Sequence, residues 1–282
     1  MTSRFFAELR ASQVQAACGP SSVAVLPVGA IEQHGPHLPL ATDALVAEAV
    51  SKEVVAAHGE DLDLWLLPTI SYGRSVEHTW AAGTLSLSTT TFAAVLDDLG
   101  RSVAAAGIRR IVLVNGHGGN VSEIQTALRD LRLAYGLLTF AVNVFLPEEH
   151  DPAWAASENG LGIHGGAAET SLMLHLRPDL VDLASAERRI PARMADNVHA
   201  RFGGSVSFGW LADDFGAEGY LGDPTLASAE AGASGFKAMV ATLADQLGEV
   251  ARFDFPGSAR TRQPSSPSSQ EAGSPCTPTV RR

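Results

Sequence analysis

The chain is predicted to form a single α/β domain, three-layered α/β/α around a mainly parallel sheet. Three observations carry that expectation. Short valine- and leucine-rich runs recur at 22–28, 64–67, 111–114 and 137–144. Segments with apolar residues at helical spacing separate them, so strand and helix alternate along the chain. The 282 residues are 45% hydrophobic, enough for one sizeable core.

The elements follow in order. The run 22–28 ends at Gly29 and reads as a buried strand feeding a loop. Residues 43–57 have helical spacing, and the strand at 64–67 stops at Pro68. A helix over 91–106 is closed by Gly107. The strand 111–114 runs into Asn115-Gly116-His117-Gly118-Gly119-Asn120, and a helix over 121–134 then stops at Gly136. The strand 137–144 completes the set. In such sheets ligands sit beyond the carboxyl ends of the strands. The polar clusters of this sequence fall there: after Val28, after Pro68, after Val114, and later near His164.

Composition narrows the function. A net charge of -11 argues against a nucleic-acid partner. No apolar run is long enough to span a membrane, and the early charges Glu8 and Arg10 do not fit a secretory signal. Cys18 and Cys276 lie far apart and read as free thiols in a reducing compartment, which points to the cytoplasm. Two cysteines also exclude a thiolate metal site, so a metal here must use His, Asp and Glu. From residue 256 onward Pro, Ser, Thr, Gly and Arg dominate. The reading is therefore a single domain over 1–255 and a disordered Pro/Ser-rich tail over 256–282.

Three clusters can carry chemistry. The first, 29–43, places Glu32, His34, His37 and Asp43 in one Gly/Pro-rich loop. Glu32 and His34 are two apart, so in extended backbone they face the same side. Asp43 precedes a helical pattern and has a second reading as an N-cap. The second is the glycine-flanked His117 between strand and helix; its spacing matches neither a dinucleotide fingerprint nor a P-loop. The third is His164-Gly165-Gly166 with Glu169 at a helix start. Glu169 has a plainer reading as a first-turn acid, and His164 as a solvated loop residue. Together the clusters offer the ligand types of a divalent site such as Zn2+ or Mn2+. Two such ions activate water and polarise a carbonyl. No serine lies in a Gly-x-Ser-x-Gly elbow.

These motifs closely resemble the creatininase family. Glu32-Gln33-His34-Gly35-Pro36-His37-Leu38-Pro39 with Asp43, the segment 115–120, and His164-Gly165-Gly166 with Glu169-Thr170-Ser171 carry the likeness. Tyr72-Gly73 with Glu77-His78, Gly83-Thr84 and Gly222-Asp223-Pro224 extend it, in order, over roughly residues 5–250. The resemblance implies a parallel α/β sandwich, assembly as a homohexamer, and two divalent ions per subunit, Zn2+ or Mn2+ with Fe2+ as a further candidate. It implies a hydrolase acting on C–N bonds other than peptide bonds, of the creatinine-to-creatine type. Glu32, His34, Asp43 and His117 match ligand positions. Asp43 would bridge the ions, Glu32 and His117 holding one and His34 the other. His164 would handle protons.

Two departures bear on the substrate. Creatininase has a glutamate two residues after the histidine that His117 matches, where this chain has Gly119. Glu169 is the natural replacement, as ligand and as part of the catalytic set with His164. Creatininase also has a substrate-stacking tryptophan shortly before the histidine that His164 matches, and here Trp154 lies further upstream. Substrate-contact candidates are thus Trp154, Glu77 and His78, the last two with a plainer reading as a solvated loop. The substrate is expected to be a small amide or a short peptide. Family relatives include peptidases of the mycofactocin precursor and formamidopyrimidine deformylases. A metal- or small-molecule-binding protein without turnover is the alternative outside the hydrolases.

Overall fold

The structure, a computed structural model, describes residues 3–255. The tail expected to be disordered lies outside them. Four strands form one parallel sheet: β1 (Val23–Val28), β2 (Leu64–Leu66), β3 (Arg110–Asn115) and β4 (Leu138–Asn143), in the order β2-β1-β3-β4. Among the described residues there are eight α-helices: α1 (Ala11–Ala17), α2 (Thr42–His58), α3 (Thr89–Ala105), α4 (Val121–Tyr135), α5 (Pro152–Glu158), α6 (Ala167–Leu176), α7 (Ala192–Ala195) and α8 (Ala229–Arg252).

The pleat sorts the apolar runs into two cores. Val23, Val25, Leu64, Leu66, Val112 and Val114 face one layer, where Val50 and Val54 of α2, Leu172 and Met173 of α6, and Leu243 and Leu247 of α8 pack. Ala24, Leu26, Val28, Ile111 and Leu113 face the other, against Phe92 and Leu96 of α3 and Ile124 and Leu131 of α4. Each fully buried valine or leucine contributes about 1.5–3 kcal/mol of transfer free energy. This is the three-layer sandwich that the alternating pattern predicts.

Boundaries differ where side chains cap. Helix α3 starts at Thr89, two residues before the expected start, because the Ser88 hydroxyl accepts the Thr91 N–H at 3.1 Å. The register aligns Val28 with Asn115 and Asn115 with Asn143, so three strands end at one level. Among the described residues no helix is long and apolar enough to cross a membrane.

Candidate active site

The loops after β1 and β3 open side by side at that level, and α2 begins across them. Its approach requires positions without side chains. A Cβ at Gly29 would lie 2.4 Å from Ala44 Cα, and one at Gly116 would lie 2.6 Å from the Asp43 carbonyl. Asp43 is thereby set between two imidazoles. Its Oδ1 is 3.0 Å from His34 Nε2, and its Oδ2 is 3.0 Å from His117 Nδ1. The N-cap reading of Asp43 fails: Ala41 occupies that position without a side-chain bond, and both Asp43 oxygens face histidines.

Glu32 is fully buried at the middle of the cluster. The Ser75 hydroxyl donates to its Oε2. Its Oε1 has no hydrogen-bond partner. Yet His117 Nδ1 at 3.3 Å, His164 Nδ1 at 3.6 Å, His78 Nε2 at 3.7 Å and His34 Nε2 at 3.9 Å stand around it. These are too long or too poorly aligned for hydrogen bonds. Leaving a buried carboxylate oxygen unsatisfied is costly, by more than the ~1–3 kcal/mol of a neutral group. Imidazole nitrogens converging on a carboxylate oxygen that none of them bonds is the arrangement a cation resolves. Three groups of ligand atoms lie within 4.8 Å of one another: Glu32, Glu77 and His117; His34, Asp43 and Glu169; and Glu32, His34 and His164. The donor set therefore fits a hard or borderline divalent ion.

The third sequence cluster enters through an antiparallel bridge, His164 to Leu221. His164 is buried, so its solvated reading fails. Its Nε2 lies 2.7 Å from the Gln33 carbonyl, leaving Nδ1 toward Glu32. Its ring sits between those of His34 and His78, at centroid distances of 4.2 and 4.1 Å. On the first turn of α6, Glu169 accepts the Gly165 N–H at 2.6 Å, and its Oε2 is 3.9 Å from His34 Nε2. Glu77 and His78 form a buried helical turn rather than a solvated loop. His37 stands behind the centre, its Nε2 2.9 Å from the Gly165 carbonyl, and so supports that turn. His58, His175 and His199 are exposed and His150 half-buried, consistent with structural or surface roles.

Protonation follows from this packing. Burial opposes a charge on His117, but Glu32 and Asp43 prevail and hold it well above its ordinary range. His34 is raised in the same way, burial yielding to Asp43. Asp43 lies below the usual carboxylate range, since His34 and His117 outweigh burial. Burial lifts Glu169 to about 7, against the pull of His34. Burial lowers His78 to about 4 and, with the charge of His34, takes His164 well below its ordinary value. Protons on His34 and His117 occupy positions that a metal would claim.

Trp154 is not brought to the site. It and Glu158, four residues apart on α5, share the helix's buried face. The Trp154 indole donates to the Leu226 carbonyl at 3.4 Å, and the ring is fully buried in the core layer of α2, α6 and α8. Trp154→Ala is expected to destabilise the chain by about 3–5 kcal/mol in urea denaturation while leaving KM unchanged. A raised KM at unchanged stability would return Trp154 to the substrate.

Sequence reasoning missed several residues that build the site. Asn120 donates to the Gly29 carbonyl at 3.0 Å and accepts the Arg74 N–H at 2.8 Å, tying three loops together. Asn115 donates to the His117 carbonyl at 2.7 Å. Buried Glu158 accepts N–H groups from Ala167 at 2.8 Å and Asp223 at 2.7 Å, fixing the start of α6. Phe145, Phe202, Phe208 and Trp210 line the cavity over the centre, with Trp210 edge-on to His78 at 6.4 Å. That cavity holds about 950 Å3 and has Glu32, Asp43, Glu77, His117, His164 and Glu169 in its wall. A smaller one of about 400 Å3, between α3 and α4, has no histidine.

A parallel α/β sandwich with buried carboxylates and imidazoles at its strand ends defines the class: an α/β fold with a polar centre suited to divalent ions. The creatininase family model, described as creatinine amidohydrolase, matches residues 7–247. The chain belongs to the creatininase family of hydrolases. It is 41% identical over 226 residues to a mycofactocin precursor peptide peptidase of Mycobacterium tuberculosis, covering 77% of this chain and 80% of that one. It is 40% identical over 187 residues to a creatinine amidohydrolase of Pseudomonas putida, covering 60% and 70%. A crystal structure of creatininase superposes with a TM-score of 0.71 at 31% identity, over 90% of this chain and all of the other. Solved creatininases include a Zn-Zn form and a Mn form.

Proposed function

We propose that this chain is a metal-dependent amide hydrolase using two divalent ions, Zn2+ or Mn2+ with Fe2+ as a further candidate, and that its substrate is a short peptide. The observation that carries the reading is the unpartnered Glu32 Oε1 ringed by four imidazoles, with Asp43 between His34 and His117. In this reading Glu32 and His117 would hold one ion and His34 and Glu169 the other, with Asp43, which faces both histidines, serving the two. Ions held there supply Lewis acidity and a water acidic enough to attack near neutral pH.

The protein's own groups do the rest. The Gln33 carbonyl fixes the proton of His164 on Nε2, so Nδ1 is the basic nitrogen facing the centre. His164 takes the proton of the attacking water and delivers it to the leaving nitrogen as the C–N bond breaks. The products are a carboxylate and an amine.

Two observations favour a peptide over creatinine. The cavity, about 950 Å3, is at the upper end of the ~300–1,000 Å3 that drug-sized ligands occupy and far exceeds a small ring. Its aromatic wall offers apolar surface for side chains. The relatives named as mycofactocin precursor peptide peptidases, from 37% to 41% identical, point the same way. The reading of its cysteines as free thiols favours the cytoplasm.

The test is hydrolysis by the full chain of creatinine and of a mycofactocin precursor peptide, read by mass spectrometry. The expected result is cleavage of the peptide at the higher kcat/KM, lost on chelation and restored by Zn2+ or Mn2+. Faster turnover of creatinine would overturn the peptide reading. Binding of metal with hydrolysis of neither would favour a binding protein.

A further inference from the structure

The position two residues after His117 is Gly119, so that loop provides no carboxylate to the centre. Its backbone is not in the left-handed region, so conformational freedom does not explain the glycine. Space does. A Cβ at position 119 would lie 2.4 Å from Glu77 Oε1, 2.4 Å from His117 Nε2 and 2.5 Å from the Arg74 carbonyl. The missing side chain is what lets the turn from Arg74 to Glu77 close against His117.

Glu77 is what that turn delivers. It is 8% exposed, and its Oε1 lies 3.6 Å from His117 Nε2. Its one ion-pair partner among the described residues is His117, a histidine already shared with Glu32 and Asp43. The adjacent cation, Arg74, is turned away: its Nε lies 3.0 Å from Glu123 and 2.9 Å from the Thr89 hydroxyl. A carboxylate buried beside another, Glu32, with no cation of its own, is unfavourable unless something positive joins them. Glu32 Oε1, buried and unpartnered, faces the same space. Ligand atoms of Glu32, Glu77 and His117 all fall within 4.8 Å of one another.

We infer that Glu77 is a further metal ligand, a second carboxylate for the ion that Glu32 and His117 would hold, admitted by the absence of a side chain at Gly119. Glu32, Glu77 and His117 then serve one ion, and His34 and Glu169 serve the other, with Asp43 between. The first ion would then have two carboxylates, Glu32 and Glu77, and the second Glu169. The inference rests on the two-metal reading above and assigns to Glu77 a role other than substrate contact.

The test compares the full chain with its Glu77→Gln variant. Metal content is read by plasma mass spectrometry, Zn2+ affinity by competition with a chromophoric chelator, and ligand field by the visible spectrum of the Co2+-loaded protein. The parent is expected to hold two ions. In the variant one ion should stay tightly bound. The other should weaken by more than the ~10–100-fold that loss of an outer orienting partner causes, with altered Co2+ bands. A loss within that range with an unchanged Co2+ spectrum would make Glu77 a positioning residue for His117 and overturn the ligand assignment. Two ions at parental affinity would also overturn it while leaving the two-metal reading intact. A parent that binds no metal overturns both. If Glu77→Gln does not fold by circular dichroism, Glu77→Asp replaces it: weaker binding of one ion is expected, and undiminished binding of both refutes the assignment.

Discussion

Asp43→Ala is expected to abolish hydrolysis and to strip both metal ions together. Asp43 is the one carboxylate whose two oxygens reach different histidines, each at 3.0 Å. Its loss therefore removes a ligand from both positions and the link between them. The folded chain also suffers without metal. Asp43 is held below its ordinary range and His34 above its own, so the pair stabilises the metal-free fold. The Asp43 part is fully present above the unfolded carboxylate pKa and is lost as pH falls through the depressed folded value. The His34 part is fully present below the unfolded imidazole pKa and is lost as pH rises through the elevated one. The stability deficit of Asp43→Ala should thus be greatest between about pH 4 and 6.5. It should reach about 3–5 kcal/mol in urea titrations, the cost of breaking a buried pair. Retained metal and activity would remove Asp43 from the centre.

His164→Ala is expected to lower kcat by roughly 10²–10⁴-fold, the contribution of a positioned proton carrier, while both metals remain. The distinction matters because His164 Nδ1, at 3.6 Å from Glu32 Oε1, is close enough to ligate an ion instead. The Gln33 carbonyl 2.7 Å from Nε2 orients the ring either way. Metal analysis beside steady-state kinetics separates the two roles. Metal loss in proportion to activity would make His164 a ligand. Parental kcat would leave it with no part in the reaction.

Much of this was legible from the chain, and for a physical reason. Strands β1 and β3 are continuous apolar runs, and the parallel order places whatever follows them at one end of the sheet. Glu32, His34, Asp43 and His117 follow those runs directly, so sequence position alone gathers them. His164 and Glu169 arrive well after the last strand, so their glycine-flanked pattern and the motif resemblance marked them, and strand order did not. What stayed hidden depends on tertiary packing. Nothing local distinguishes Trp154 as a core residue from a stacking platform; the shared buried face with Glu158 decides it. The linking bonds of Asn115 and Asn120 join segments far apart in sequence. The aromatic wall of Phe202, Phe208 and Trp210 lies in irregular backbone, where no periodicity marks it. Beyond Val144 the one element expected was the helix at Glu169, and α8, the longest helix among the described residues, covers a face of the sheet beyond it.

The central claim is that the buried cluster exists to hold metal. Calorimetric titration of Zn2+ into the chelator-stripped full chain at pH 7 tests it most directly. Two ions per chain should bind saturably, with protons released from the raised groups His34, His117 and Glu169 and affinity increasing with pH. Absence of saturable binding at any pH where the chain is folded would contradict it.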